Sequence, residues 1–90
     1  MYYVYILLSD KDDMLYFGST PNLQERIAKH DAGFVKATQN RRPLKLLYYE
    51  AYSSKIDALK REKYFKGGKG HNDLKVQFEN TLLKNNYIFL

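Results

Sequence analysis

With 90 residues, 44% of them hydrophobic and 28% charged, the chain is expected to form one domain with a single core and no second one. It has no cysteine, which excludes disulfides and thiolate metal sites, and its two histidines are too far apart to suggest a histidine-rich zinc centre. The net charge of +5 favours polyanionic partners such as nucleic acid. Apolar runs stay short of the roughly 18 residues a bilayer demands, so a cytoplasmic protein is expected. The first eight residues are apolar, yet no basic segment precedes them, and they read as a strand rather than a leader.

Tyr2 to Leu8 is dense in tyrosine and aliphatic residues, and its near-continuous apolarity marks a central strand. Asp10 to Asp13 signals a turn, and Leu15 to Ser19 reads as a second strand, making an antiparallel hairpin. A helix follows, capped by Thr20 or Asn22, running to about Ala32 and stopped by Gly33. Phe34 to Pro43 is a polar, basic connection, and Leu44 to Tyr52 a third strand. Ser54 and Asp57 resemble a capping box for a helix that reaches about Lys66, where Gly67 to Gly70 breaks it. Asn72 to Asn85 reads as a last helix with Leu74, Phe78, Leu82 and Leu83 on one face, followed by an apolar tail, Tyr87 to Leu90. The expectation is an α+β fold, order β-β-α-β-α-α, with a small three-stranded, mainly antiparallel sheet flanked by helices.

Several polar residues stand where packing alone would not choose them. Arg26 and His30 are four apart on the first helix and lean toward its apolar stripe of Leu23 and Ile27. They are either a snorkelling arginine with a satisfied boundary histidine, or parts of a site. Glu62 sits among Ala58, Leu59 and Phe65 on the second long helix, and a carboxylate there needs a cation, a donor or a proton. It either pairs with Arg26 or binds a metal, since a carboxylate with waters and phosphate oxygens suits Mg²⁺. Tyr3 and Tyr5 share a strand face and Tyr16 lies near Gly18. This can be cross-strand aromatic pairing, and a strand glycine often marks a close approach. Lys36, Arg41 and Arg42 in the connection, and Lys60, Arg61, Lys63, Lys66 and Lys69 on or after the second helix, flank these groups as a phosphate-tracking groove would.

These residues resemble the GIY-YIG nuclease superfamily, most closely its small standalone bacterial members. The first signature stands as Tyr3-Val4-Tyr5 and the second as Tyr16-Phe17-Gly18. The helix from Asn22 to His30 carries arginine and then histidine, the stretch Asn40 to Glu50 is similar to the standalone members, and Ala58 to Lys63 carries the family's glutamate. Tyr3 replaces a glycine and Phe17 an isoleucine, neither expected to donate a catalytic group. Ser19 stands where many relatives have lysine, and Asn72 is the nearest counterpart of an asparagine that family enzymes often add.

The resemblance implies a metal-dependent endonuclease acting on DNA, with one Mg²⁺ or Mn²⁺ on Glu62. Tyr5 would be the general base, its pKa lowered by Arg26 and the metal, with Tyr16 ordering the water, Arg26 stabilising phosphoryl charge and His30 relaying or donating a proton. All five groups are expected over one face of the sheet. Lys36, Arg41, Arg42, Lys60, Lys63, Lys66 and Lys69 would contact nucleic acid. The competing expectations are a catalytically inactive nucleic-acid-binding module of the same fold and a protein-interaction domain.

Overall fold

The computed structural model describes residues 1–85. Its order is β1 (Tyr2–Ser9), β2 (Leu15–Thr20), α1 (Leu23–Ala32), β3 (Leu44–Tyr52), α2 (Lys55–Lys66), α3 (Gly68–Gln77) and α4 (Glu79–Lys84). The three strands form an antiparallel sheet in the order β2-β1-β3, so the most apolar strand is the central one. The tail from Tyr87 to Leu90 lies outside the described residues.

Alternation along the strands sorts the side chains onto two faces. Val4 and Ile6 point to one face, where they join Phe17, Ala58, Phe65 and Leu74 in the core beneath α2 and α3. Tyr3, Tyr5 and Leu7 point to the other face, which α1 covers. Helix starts follow the sequence: Asn22 accepts from the Glu25 N–H, and Ser54 from the Asp57 N–H. Gly33, at φ 83°, ends α1 in the left-handed conformation that favours glycine.

The C-terminal third departs from expectation. Gly67 to Gly70 does not separate α2 from a helix beginning at Asn72. Gly67 alone turns the chain in an extended conformation, and α3 begins at Gly68. Glycine's low helix propensity suggested a break, but tertiary contact overrides it. A β-carbon on Gly70 would lie 1.8 Å from the Tyr64 carbonyl oxygen, so only glycine lets the first turn of α3 close onto the end of α2. The expected last helix is also two helices. Phe78 adopts a non-helical conformation between them, and its ring packs 4.3 Å from that of Tyr48. The bend leaves Leu83 at 54% exposure, off the apolar face that Leu74 and Leu82 occupy.

One network ties α2 to the far strand. The Arg61 guanidinium donates to both Glu50 carboxylate oxygens, at 2.9 and 3.2 Å, and the Tyr48 and Tyr52 hydroxyls each donate to Glu50 at 2.8 Å. Burial raises the Glu50 pKa, but these donors together outweigh it and hold the carboxyl below its ordinary value. Burial and the neighbouring carboxylate push Tyr48 up to about 12.

Two outcomes follow. Gly70→Ala forces backbone apart rather than a side-chain tip, and should cost about 2–3 kcal/mol, lowering the thermal midpoint by roughly 10 °C or more in a melt followed by circular dichroism. Glu50 contributes stability that is complete above the ordinary carboxylate pKa and lost as pH falls through its lower native value. Urea midpoints from about pH 7 down to about pH 3 should therefore decline, and Glu50→Gln should lower the neutral plateau and flatten that decline.

Candidate active site

Tyr5 lies in the central strand opposite Gly18 of β2. Its ring crosses the space a side chain would fill, since a β-carbon on Gly18 would sit 2.4 Å from the Tyr5 hydroxyl oxygen. The close approach read from a strand glycine is therefore made by Tyr5 itself. Tyr16 stands two residues along the same face of β2, its ring 6.4 Å from that of Tyr5 and 5.2 Å from His30.

Helix α1 supplies two more groups. His30 is fully buried; its Nε2 is 2.8 Å from the Tyr5 hydroxyl and its Nδ1 is 2.7 Å from Thr38 Oγ1. Burial holds the His30 pKa below its ordinary value, and the Arg26 charge depresses it further, so the ring is neutral at pH 7. Arg26 faces the Tyr5 hydroxyl without a well-formed hydrogen bond, and that contact holds its pKa above the ordinary value. The Arg26 Nε is buried with no hydrogen-bond partner among the described residues. A guanidinium left with an unpaired buried donor is suited to receive an anionic oxygen.

Tyr5 corrects one expectation. Only 1% exposed, its hydroxyl is driven by burial to a pKa above the ordinary value, and the opposing pull of Arg26 does not reverse this. The partly exposed groups of the cluster are Tyr16 and Arg26.

Glu62 corrects another. It does not share the face of the tyrosines and does not pair with Arg26. Ser19 follows Gly18 and points to the opposite face, and its hydroxyl donates to Glu62 Oε1 at 2.7 Å. Lys66 donates to Oε2 at 2.6 Å. The carboxylate therefore reaches the open edge of β2 from the α2 side, while Tyr5, Tyr16, Arg26 and His30 occupy the α1 side. The site is built around an edge strand rather than over one face.

Glu62 is 19% exposed, and its neighbour Ser19 offers a hydroxyl oxygen. Such oxygen donors fit a hard divalent cation. No group of three histidine, aspartate or glutamate side chains able to hold a metal exists among the described residues. Glu62 would thus hold a cation with water and phosphate oxygens as the remaining ligands.

The basic set divides. Lys60, Lys63, Lys66 and Lys69 are exposed on or just beyond the helix that carries Glu62, and Lys36 is exposed in the connection. Arg41 is bound to Asp12, at 2.6 Å, and to the Met14 carbonyl; Arg42 donates to the carbonyls of Gln39 and Asp31. Both arginines brace the connection between α1 and β3. Asn72 is exposed on α3. Thr38 and Ser19 were not singled out as polar partners. Threonine in a basic loop and serine in a strand carry no spacing signal, and only the fold brings them to His30 and Glu62.

A sequence profile described as the GIY-YIG catalytic domain matches residues 1–75, a span that contains every group of this cluster. Among curated relatives, a UPF0213 protein of Clostridium perfringens is 40% identical over 88 residues, 97% of this chain and 94% of its own. A UPF0213 protein of Staphylococcus haemolyticus is 50% identical over 62 residues, 68% of this chain and 74% of its own. A third, from Pediococcus acidilactici, is 38% identical over 92 aligned positions, 99% of this chain and 87% of its own. No solved structure matches the chain. The hairpin with its paired tyrosine signatures, the arginine–histidine helix and the glutamate helix fall in order within the matched span, and the chain belongs to the GIY-YIG family.

Proposed function

We propose that the protein is a metal-dependent endonuclease that hydrolyses phosphodiester bonds of DNA. The observation that carries this reading is the unpartnered Arg26 Nε beside the Tyr5–His30 hydrogen bond. A buried donor without an acceptor and a phenol with a neutral imidazole behind it are what a phosphate and an attacking water need.

A phosphate enters from the Tyr16 and Arg26 side, where the cluster is partly open. Arg26 donates to a non-bridging oxygen and stabilises the charge that grows there. Tyr16 orders the attacking water. Tyr5 accepts a proton from that water as it passes its own proton to His30 Nε2. His30 is wholly buried and bonded to Tyr5, so it serves as the acceptor behind the phenol and not as an acid toward the leaving group. The water oxygen bonds to phosphorus, the bond from phosphorus to the 3′ oxygen breaks, and solvent returns a proton to that oxygen. The products carry 5′-phosphate and 3′-hydroxyl ends. Glu62 would hold one Mg²⁺ or Mn²⁺ which, when bound, supplies charge stabilisation at the scissile phosphate and the leaving oxygen.

Lys66 shares the Glu62 carboxylate with Ser19 and is itself 54% exposed, so it is the neighbour that would give way if Glu62 held a metal ion. The exposed Lys60, Lys63 and Lys66 of α2, with Lys69 and Lys36, follow the nucleic-acid backbone. Arg41 and Arg42, committed to internal partners, contribute less to this contact than the lysines do.

Cleavage of duplex, single-stranded, flap and nicked DNA, and of RNA, with Mg²⁺ or Mn²⁺ tests the reading. Tyr5→Phe should fold and lose at least about 100-fold in rate. Glu62→Gln and chelation by EDTA should each abolish cleavage. Unchanged cleavage in either variant removes that residue from its role, and binding without cleavage by the wild type identifies a binding module. Lys66→Ala should tighten Mn²⁺ binding several-fold in calorimetric titration, because the competing cation is gone, by roughly the strength of one exposed ion pair.

A further inference from the structure

We infer that Thr38 is a positioning residue that sets the tautomer of His30, and so decides whether that ring accepts a proton from Tyr5 or donates one to it. The inference rests on the reading of His30 as the acceptor behind Tyr5.

The proton count follows from the donors present. Arginine has no acceptor, so the Arg26 guanidinium offers the Tyr5 oxygen only N–H groups. The Tyr5 proton is then directed to its other partner, His30 Nε2, at 2.8 Å. A nitrogen that accepts carries no proton, so in the neutral ring the proton resides on Nδ1. In that tautomer Nδ1 is the donor and Thr38 Oγ1, 2.7 Å away, the acceptor. His30 and Thr38 are both fully buried, so water does not substitute for the hydroxyl.

Thr38 is held firmly enough for this task. Its N–H donates to the Val35 carbonyl at 3.1 Å, and its own carbonyl accepts from the Arg41 N–H at 2.9 Å. Arg41 is in turn fastened to Asp12 in the hairpin turn. The connection between α1 and β3 therefore fixes the hydroxyl from both directions.

Without that hydroxyl, a proton on Nδ1 is left buried and unpaired, which is unfavourable. The alternative tautomer places the proton on Nε2, where it points at the Tyr5 oxygen. The ring then occupies the lone pair Tyr5 needs to take a proton from water. Thr38→Val keeps the branched shape and removes only the hydrogen-bonding oxygen. Thr38→Ser keeps the oxygen and removes a methyl group.

Long-range ¹⁵N–¹H NMR of the imidazole rings tests this, with His71→Gln used to assign the second histidine. The expected wild-type result is a neutral ring protonated on Nδ1. Thr38→Val should move the proton to Nε2 and lower Mn²⁺-supported cleavage roughly 100-fold, and Thr38→Ser should restore both. Protonation on Nε2 in the wild type overturns the inference, whether or not Thr38→Val folds. So does a Thr38→Val protein, shown to be folded by its melt, that loses cleavage with the Nδ1 tautomer intact. If the wild type cuts none of the nucleic acids offered, the nuclease reading fails, while the ring proton still reports whether Thr38 sets the tautomer.

Discussion

The polar cluster between the sheet and α1 depends on one contact, the Tyr5 ring lying in the space that a side chain at Gly18 would occupy. A β-carbon there would drive the phenol out of the plane between β2 and α1, and the hydroxyl would leave His30. The hairpin register pairs these two residues directly, so within β2 the glycine is needed at the position opposite Tyr5. From it follow the burial of the phenol, the hydrogen bond to the imidazole and the approach of Arg26. The same burial has an electrostatic result: the phenol holds its proton more tightly than free tyrosine does. An isolated phenol so placed would be a poor base. On the proposed mechanism a neutral imidazole at hydrogen-bond distance would relieve this, because the phenol would exchange one proton for another rather than stand as a buried anion.

The second constraint is the seat of α2. Ser19 and Glu50 both pair with Val4, one on either side of the central strand, so they lie in one row across the sheet. Adjacent residues of α2 reach the two ends of that row. Arg61 takes Glu50, and Glu62 meets Ser19. The helix thus straddles three strands and is fixed at both sides, with Phe65 and Ala58 buried between. Placing the acidic group is then a matter of which residue follows the anchoring arginine, and a helical step of about 100° separates the two directions.

Much of this was legible in the sequence, and the failures share a cause. The central strand, the hairpin, Asn22 and Ser54 as caps, and Gly33 as a stop follow from local chemistry that tertiary context did not contest. Arg26 and His30 declared themselves by being four apart on an otherwise apolar stripe. The corner at Gly67 did not, because glycine propensity argues for a break whereas Gly70 is there to let two helices touch. The place of Glu62 was misjudged for a different reason. Helical periodicity says that a carboxylate faces the sheet, but not which side of an edge strand it emerges on. The state of Tyr5 was misread too, since proximity to a cation is visible in sequence and depth of burial is not. Thr38 and Ser19 belong to non-local pairs, 8 and 43 residues from their partners, and no spacing rule reaches them.

The lysine seated on Glu62 gives the cluster two unlike halves. On the imidazole side Tyr5, His30 and Thr38 are joined beforehand by buried hydrogen bonds, and only the Arg26 Nε stands without an acceptor. On the carboxylate side the incumbent is a long, solvent-facing ammonium whose departure costs little. Order is therefore built into the proposed proton path, and pliancy into the carboxylate that, on the proposed function, would admit and release a cation.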